Sequence, residues 1–301
     1  GVANTGEARS LFKEGIKTRP YILGATLPSE REEIAASGWT PCLCSFEEIE
    51  HFNQLGKDSP IEAHLALDTG MGRGGFLPDQ LGEALQKLRQ TSGIKLTGVG
   101  SHLPVADEDP VFTHKQFELF DSMVESIPGR DEKFHVHLSN SAGLLDYHSR
   151  TTNLVRPGLL IYGISPLPAH QEFLKPVMTF KSRVSVINHL PKGHGVSYGR
   201  TILQRDTKTA VVGIGYGDGY PRSLSGKGAN VLLNKSACPL IGRVTMDQII
   251  VDVTELDTCQ PGDEAELFGP NLLVSDLAKK AGTIPWEILT QITPRVSRIY
   301  R

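Results

Sequence analysis

Residues 153–163, NLVRPGLLIYG, place a cation inside an otherwise apolar run. A continuous apolar segment reads as a strand buried on both faces, so Arg156 either closes that strand or needs a buried partner. Pro157 cannot donate to a sheet ladder, and Gly158 lets a ligand approach the backbone closely, so the strand stops there and opens a site. An arginine in a salt bridge at a strand end is the plainer reading of the same residues, and the elements on either side weigh on the choice.

Upstream, short apolar runs alternate with amphipathic ones. Strands are expected at 1–3, 21–24, 42–45, 64–68, 98–102, 135–139 and 154–158, and helices at 6–14, 31–36, 46–55, 79–91, 110–127 and 142–147. Such alternation implies βα units around a parallel sheet. Eight strands would close a (β/α)8 barrel; the seven here, in a chain opening at a strand without Met, leave an N-terminal first strand as the absent element. Downstream the character changes. Segments rich in Val, Ile and Thr at 183–188, 209–213, 230–233, 248–253 and 264–268 are separated by Pro, Gly and Asn turns, with one helix at 274–281. This pattern predicts a mostly antiparallel β domain. The expected division is a TIM-type barrel over 1–172 and a C-terminal β domain over 173–301.

The 301 residues carry a formal charge of -3 with no basic stripe, which argues against a nucleic-acid or anionic-membrane partner. No apolar run approaches the ~20 residues of a spanning helix. Four Cys are too few for a disulfide framework and weakly favour a reducing compartment. Small-molecule chemistry remains.

DTGMGRGGF (68–76) contains a formal GxGxxG in Gly70, Gly72 and Gly75. A dinucleotide site wants an acidic residue at the tip of the next strand, where this chain has His102. The better reading is a flexible loop presenting Arg73 to an anion at the carboxyl face of the barrel. In HVHLSNSAG, His135 and His137 share a face, and Asn140 and Ser141 mark a strand-to-helix junction. Zinc would need a third ligand that is not evident, so no metal is expected. Ser141 after the seventh strand, with Gly158 and Leu159 after the eighth, matches where such barrels bind phosphate. Tyr198 in GVSYGR, Tyr216 and Arg222 in GIGYGDGYPR, and Arg243, Met246 and Asp247 in GRVTMDQ read either as functional groups or as turns with aromatic plugs.

DTGMGRGGF, GVGSHL, HLSNSAG, NLVRPGLLIYG, GVSYG, GYGDGYPR and GRVTMDQ follow, in order and over essentially the whole chain, the motifs of the alanine racemase family, which this sequence resembles. The resemblance implies a homodimer with shared active sites. It also implies a pyridoxal 5'-phosphate cofactor and interconversion of L- and D-alanine through an external aldimine by two-base proton transfer. A cytoplasmic enzyme supplying D-alanine to cell-wall synthesis would follow. By the same resemblance Arg156 faces the pyridine nitrogen and has no proton to yield to it. Tyr198 is the base for the L-enantiomer. A free tyrosine, with a pKa near 10, is a poor base at neutral pH, and Arg156, His102 and His137 look like the network that adjusts it. His102, Asn140, Ser141, Gly158, Leu159 and Trp286 match cofactor contacts. Arg73, Met246, Tyr216 and Asp247 match substrate-handling positions, and Asp107, Arg222 and Arg243 match an access corridor.

The chain departs from the family in three places. No Lys lies in a KANAYGHG-like segment, so the Schiff-base lysine is expected to lie upstream. Ala66 stands where a carbamylated lysine often props the active-site Arg, so a small anion or a rearranged side chain is expected beside Arg73. Trp286 stands for a phosphate-contacting Tyr. The rival readings are another amino-acid racemase or decarboxylase of the same cofactor class, or a non-catalytic binder of the cofactor. Cys238 and Cys259 lie in no context that matches a decarboxylase.

Overall fold

Side chains that accept the free amides of the first turn set the helix starts in the first half of the chain. Asn4 accepts from the Glu7 amide at α1 (Thr5–Lys13), and Ser45 from the Glu48 amide at α3 (Phe46–Leu55). Asp109 accepts from the Phe112 amide at α5 (Pro110–Glu125), and Asn140 from the Gly143 amide at α6 (Ser141–Asp146). Between them, α2 (Pro28–Ala36) starts on a proline, and α4 is Leu81–Arg89.

These helices separate β1 (Cys42–Leu43), β2 (Ile61–Ala66), β3 (Ile94–Gly100) and β4 (His135–His137), which pair in chain order as a parallel sheet. Single parallel bridges extend it: Val2 to Ile22 and Tyr21 to Thr40 before β1, and His137 to Leu154 after β4. All seven expected strand positions therefore pair, but those at 1–3, 21–24 and 154–158 shrink to bridges. Leu43, Leu65, Val99 and Leu138 pack between the sheet and the inward helix faces carrying Ile49, Phe52 and Phe120.

The computed structural model describes residues 1–300, and its chain divides between Gly158 and Leu159 into two units. The second begins with 3-10 turns at Leu159–Tyr162 and Pro168–Phe173. Its strands are β5 (Phe180–Leu190), β6 (Gly195–Val196), β7 (Thr201–Ile202), β8 (Thr207–Val212), β9 (Asn230–Leu233), β10 (Ser236–Ile241), β11 (Ile249–Asp252) and β12 (Glu264–Phe268). Six of them close an antiparallel barrel in the order β10-β11-β8-β5-β12-β9, and β6 pairs with β7. Closure leaves no unpaired edge, and Phe180, Tyr220, Leu233 and Phe268 fill the core. α7 (Val274–Ala281) matches its expected span and ends on Gly282, left-handed at φ 77. α8 (Pro285–Thr290) follows.

Three strands and one α-helix of this unit are absent from the sequence reading: β6, β7, β10 and α8. At β10, Pro239 argues against a strand. The ladder accommodates it because the neighbouring amide, Leu240 N, makes the bond to Ala229 O at 2.8 Å. Asn234 and Lys235, both at positive φ (50 and 67), form the β9–β10 turn, the geometry of a tight hairpin. Among the described residues no helix is long and apolar enough to cross a membrane.

Candidate active site

Arg156 lies two residues past the Leu154 bridge, its own amide bonded to Ser139 O at 2.9 Å. The guanidinium turns back across the ends of β3 and β4. Nη1 contacts His137 Nδ1, and Nη2 reaches Ser101 O at 2.6 Å, His102 Nδ1 at 3.3 Å and Leu138 O at 3.4 Å. A guanidinium only donates, so both imidazoles accept on Nδ1 and carry their proton on Nε2. His137 Nε2 then donates to His64 Nδ1 at 2.9 Å. Tyr21 covers the pair, its ring 4.8 Å from that of His64 and 5.1 Å from that of His137.

Backbone without side chains makes room for these rings. A Cβ on Gly100 would collide with the His137 imidazole, and one on Gly98 would lie 2.7 Å from that of His64. The β2–β3 register shifts between Ala63 and His64, so that His64 pairs with Gly98.

Burial, then the Arg156 charge, pushes His137 down to about 2 and His102 to about 4. Burial, then His135 and Arg156, takes His64 to about 4. All three are neutral at physiological pH. Arg156 is itself lowered, by burial first, yet a guanidinium stays charged. The result is a buried cation held by imidazole and carbonyl acceptors. Among the described residues no carboxylate pairs with it.

The Ser141 hydroxyl, at the start of α6, accepts from the Gly158 amide at 3.0 Å, so these two loops meet. Asn140 caps α6 with its oxygen and donates through Nδ2 to Leu103 O at 3.1 Å. The Leu159 side chain is buried in the core of the second unit. Asp107 is exposed between β3 and α5.

The glycine-rich loop is not the free segment expected. One Asp68 carboxylate accepts from the amides of Gly70 at 2.8 Å, Met71 at 2.9 Å and Gly72 at 2.9 Å, winding the chain around itself. Arg73 projects from this turn into solvent, and its charge acts on His102, Arg156 and Cys44. The rearranged side chain expected in place of a lysine at Ala66 is not found: among the described residues none hydrogen-bonds Arg73. The carboxylate of Asp68, not a partner of the arginine, holds the loop in its turn.

In the second unit the GVSYG turn carries Tyr198 outward, 70 % exposed, between left-handed Ser197 and Gly199. The Ser197 hydroxyl donates to Arg243 O at 2.7 Å, and a Cβ on Gly199 would press on the Arg243 guanidinium. Three residues on, Met246 O accepts from Gly217 N at 2.8 Å while Thr245 O accepts from Tyr216 N at 3.0 Å. Tyr198, Arg243, Met246 and Tyr216 thus stand along three cross-linked turns. Asp247 pairs with Arg295 at 2.7 Å. Arg222 lies exposed in a 3-10 turn tied to the Arg243 segment through Ser225, whose hydroxyl donates to Arg222 O at 2.6 Å and accepts from Val244 N at 3.0 Å. Trp286 sits on α8, half-buried against the barrel core.

Sequence reasoning missed His64 and Tyr21. His64 lies at an ordinary strand position, and only the register shift turns it to His137. Among the described residues no group of three His, Cys, Asp or Glu is placed to hold a metal.

A parallel βα sheet bearing an arginine–histidine cluster at its carboxyl ends, followed by a closed antiparallel barrel, defines a two-domain α/β enzyme with an anion-seeking site. Residues 1–166 match the family model "Alanine racemase, N-terminal domain", and residues 177–300 "Alanine racemase, C-terminal domain". The chain belongs to the alanine racemase family, a family of isomerases. It is 37 % identical to an alanine racemase of Methylacidiphilum infernorum, covering 100 % of this chain and 78 % of that one. An alanine racemase of Halothermothrix orenii is 35 % identical, covering 100 % and 82 %. Among solved structures it is similar to the biosynthetic alanine racemase of Pseudomonas aeruginosa (TM-score 0.91, 31 % identity, 100 % and 84 % covered). It is also similar to the alanine racemase of Bartonella henselae with covalently bound pyridoxal phosphate (TM-score 0.89, 30 % identity, 100 % and 84 % covered).

Proposed function

We propose that this chain interconverts L- and D-alanine with pyridoxal phosphate as cofactor, by proton transfer between two bases. The observation that carries this is Arg156, a buried guanidinium ringed by neutral imidazoles and lacking a carboxylate partner. A buried cation without a counter-charge is costly, so the site suits an anionic aromatic group.

Arg156 would hold the ring nitrogen, His102 would lie beside the ring, and Ser141, Gly158 and Leu159 would meet the phosphate. Asn140 fixes the helix start that presents Ser141. When bound, the cofactor withdraws electrons from the substrate carbon and makes its proton removable. An arginine partner has no proton to give the ring nitrogen, so that withdrawal is weaker and the flanking bases carry more of the work. Tyr198 takes or returns the proton at its phenolic oxygen on the L side. Arg73 and Met246 handle the substrate carboxylate, with Tyr216 and Asp247 near them. Asp107, Arg222 and Arg243 line the access path. The lysine that carries the cofactor, and serves as the second base, is assigned to no position of residues 1–301.

We assign the domain boundary at 172/173 and a homodimer in which the β domain of one protomer brings Tyr198 to the site of its partner. The setting is the cytoplasm and the role is D-alanine supply for cell-wall synthesis. Replacing Tyr198 with Phe in the cofactor-loaded enzyme tests the base. L-to-D turnover is expected to fall on the order of 10²–10⁴-fold while the absorbance of the bound cofactor is unchanged. Undiminished turnover overturns the assignment.

A further inference from the structure

Cys42 and Cys44 have no part in the racemisation above, yet they stand where its residues converge. The ladder of β1 ends at Leu43, paired with Leu65, and Cys44 lies one residue beyond it. Being two apart on an extended chain, the two side chains share a face. Both thiols are free and their sulfurs are 3.8 Å apart. Cys42 is 5 % exposed, while Cys44 is half-buried and open on one side. The Cys44 thiol donates toward the Cys42 sulfur and toward the Cys42 carbonyl, also at 3.8 Å.

The backbone around the pair is held firmly. Buried Glu48 accepts from the Cys44 amide at 2.6 Å and from the Thr26 amide at 2.7 Å. Two residues of strand at a rise of ~3.3 Å put the Cα atoms roughly 6.6 Å apart, inside the upper limit of about 6.8 Å that disulfides span. On such a strand the same-face Cβ atoms are also roughly 6.6 Å apart, beyond the ~4.5 Å a disulfide spans. Closing the bond therefore also requires Cys44, one residue past the ladder, to turn inward against its amide bond to Glu48. The held strand end keeps the resulting bond strained and easily reduced.

We propose that Cys42 and Cys44 form an oxidation site, a dithiol that a peroxide closes to an intrachain disulfide and that small thiols reopen. From the pair with one proton removed and its charge on Cys42, Cys44, the accessible member, attacks one peroxide oxygen as its proton passes to the Cys42 thiolate. The O–O bond breaks, Cys44 becomes a sulfenic acid, and the departing hydroxide is protonated to water. Cys42 then attacks the Cys44 sulfur. The S–S bond forms, the S–O bond breaks, and the hydroxide leaves as a second water with the Cys42 proton. Two thiols are oxidised by two electrons and one peroxide is reduced to two waters. Two equivalents of a small thiol reverse the step by exchange.

Cys42 suits the resolving role. Its pKa is lowered first by the hydrogen bond from Cys44, with Tyr21 and Arg156 adding to the effect against burial and Glu48. The same bond, then burial, raises the Cys44 thiol, so Cys44 reacts only as it hands its proton to Cys42. Closure also reaches the arginine loop. A Cβ on Gly74, next to Arg73, would lie 3.8 Å from the Cys44 sulfur, so moving that sulfur changes the floor under the loop.

The test treats the full-length, cofactor-loaded protein with hydrogen peroxide, blocks remaining thiols with an alkylating reagent and maps tryptic peptides by mass. Both cysteines fall in the one peptide that follows Arg31. That peptide is expected to lose about 2 Da and take up no alkyl group, to recover on reduction, and to react before Cys238 and Cys259. With Cys42→Ser, Cys44 is expected to progress to a stable oxygen adduct instead, and with Cys44→Ser, Cys42 stays alkylatable. Wild-type protein in which both cysteines remain alkylatable, or in which Cys44 gains oxygen while Cys42 stays a free thiol, overturns the proposal.

Discussion

His137 must stay neutral to accept from Arg156, and that requirement links the site to pH. Unfolded, His64 and His137 titrate near 6.5; folded, they are held at about 4 and about 2. Between those values the unfolded chain binds more protons than the folded one, so stability falls as pH drops below 6.5. Above 6.5 these groups contribute no slope. The decline is roughly 1 kcal/mol per pH unit for each histidine. Urea unfolding at several pH values from 8 down to 5 should show it, and His64→Phe should flatten it. An unchanged slope in that variant would mean His64 is not buried neutral. At this scale the sequence exposes Arg156, His102 and His137 because each stands at a strand end in a distinctive motif. His64 and Tyr21 carry no such mark, since a ring inside a strand looks the same whether it meets a neighbour or fills a core.

At the scale of elements, two local devices shape the site. Asp68 gathers three amides of the glycine-rich turn, and its replacement by Ala leaves them to find water. The expected cost is about 1–3 kcal/mol, read from the urea midpoint, together with a rise in the KM for the amino acid larger than any change in kcat. If KM holds, Arg73 does not depend on that turn. Gly100 lies against the His137 ring, so Gly100→Ala should destabilise by about 1–3 kcal/mol through overpacking. An unshifted melting temperature would place the ring elsewhere. Helix α3 was legible at both ends because Ser45 caps it and its apolar residues repeat at helical spacing. β10 was not legible, because a proline inside an apolar run argues against a strand until the partner's register shows which amides the ladder needs.

At the scale of the whole molecule, the second unit closes its sheet on itself. A fragment spanning 159–301, which keeps Leu159 and Ile164 in its core, is therefore expected to fold alone, with a cooperative melt and dispersed amide resonances. A fragment without either would show that the barrel depends on the rest of the chain. The sequence by itself determined the two-part architecture, the parallel βα run, the starts of α3 and α5, and the motifs that resemble the alanine racemase family. These follow from periodicity, capping side chains and turn residues, all of which act over a few positions. Tertiary structure alone decided that the glycine-rich loop is wound on Asp68, that His64 completes the relay behind Arg156, and that two thiols face each other at 3.8 Å. The His64 contact depends on strand register and on the close approach permitted by Gly98 and Gly100, set between segments far apart in the chain. The Asp68 turn and the thiol pair are contacts within a few residues, where the surrounding fold decides which turn and which rotamers the short segment adopts.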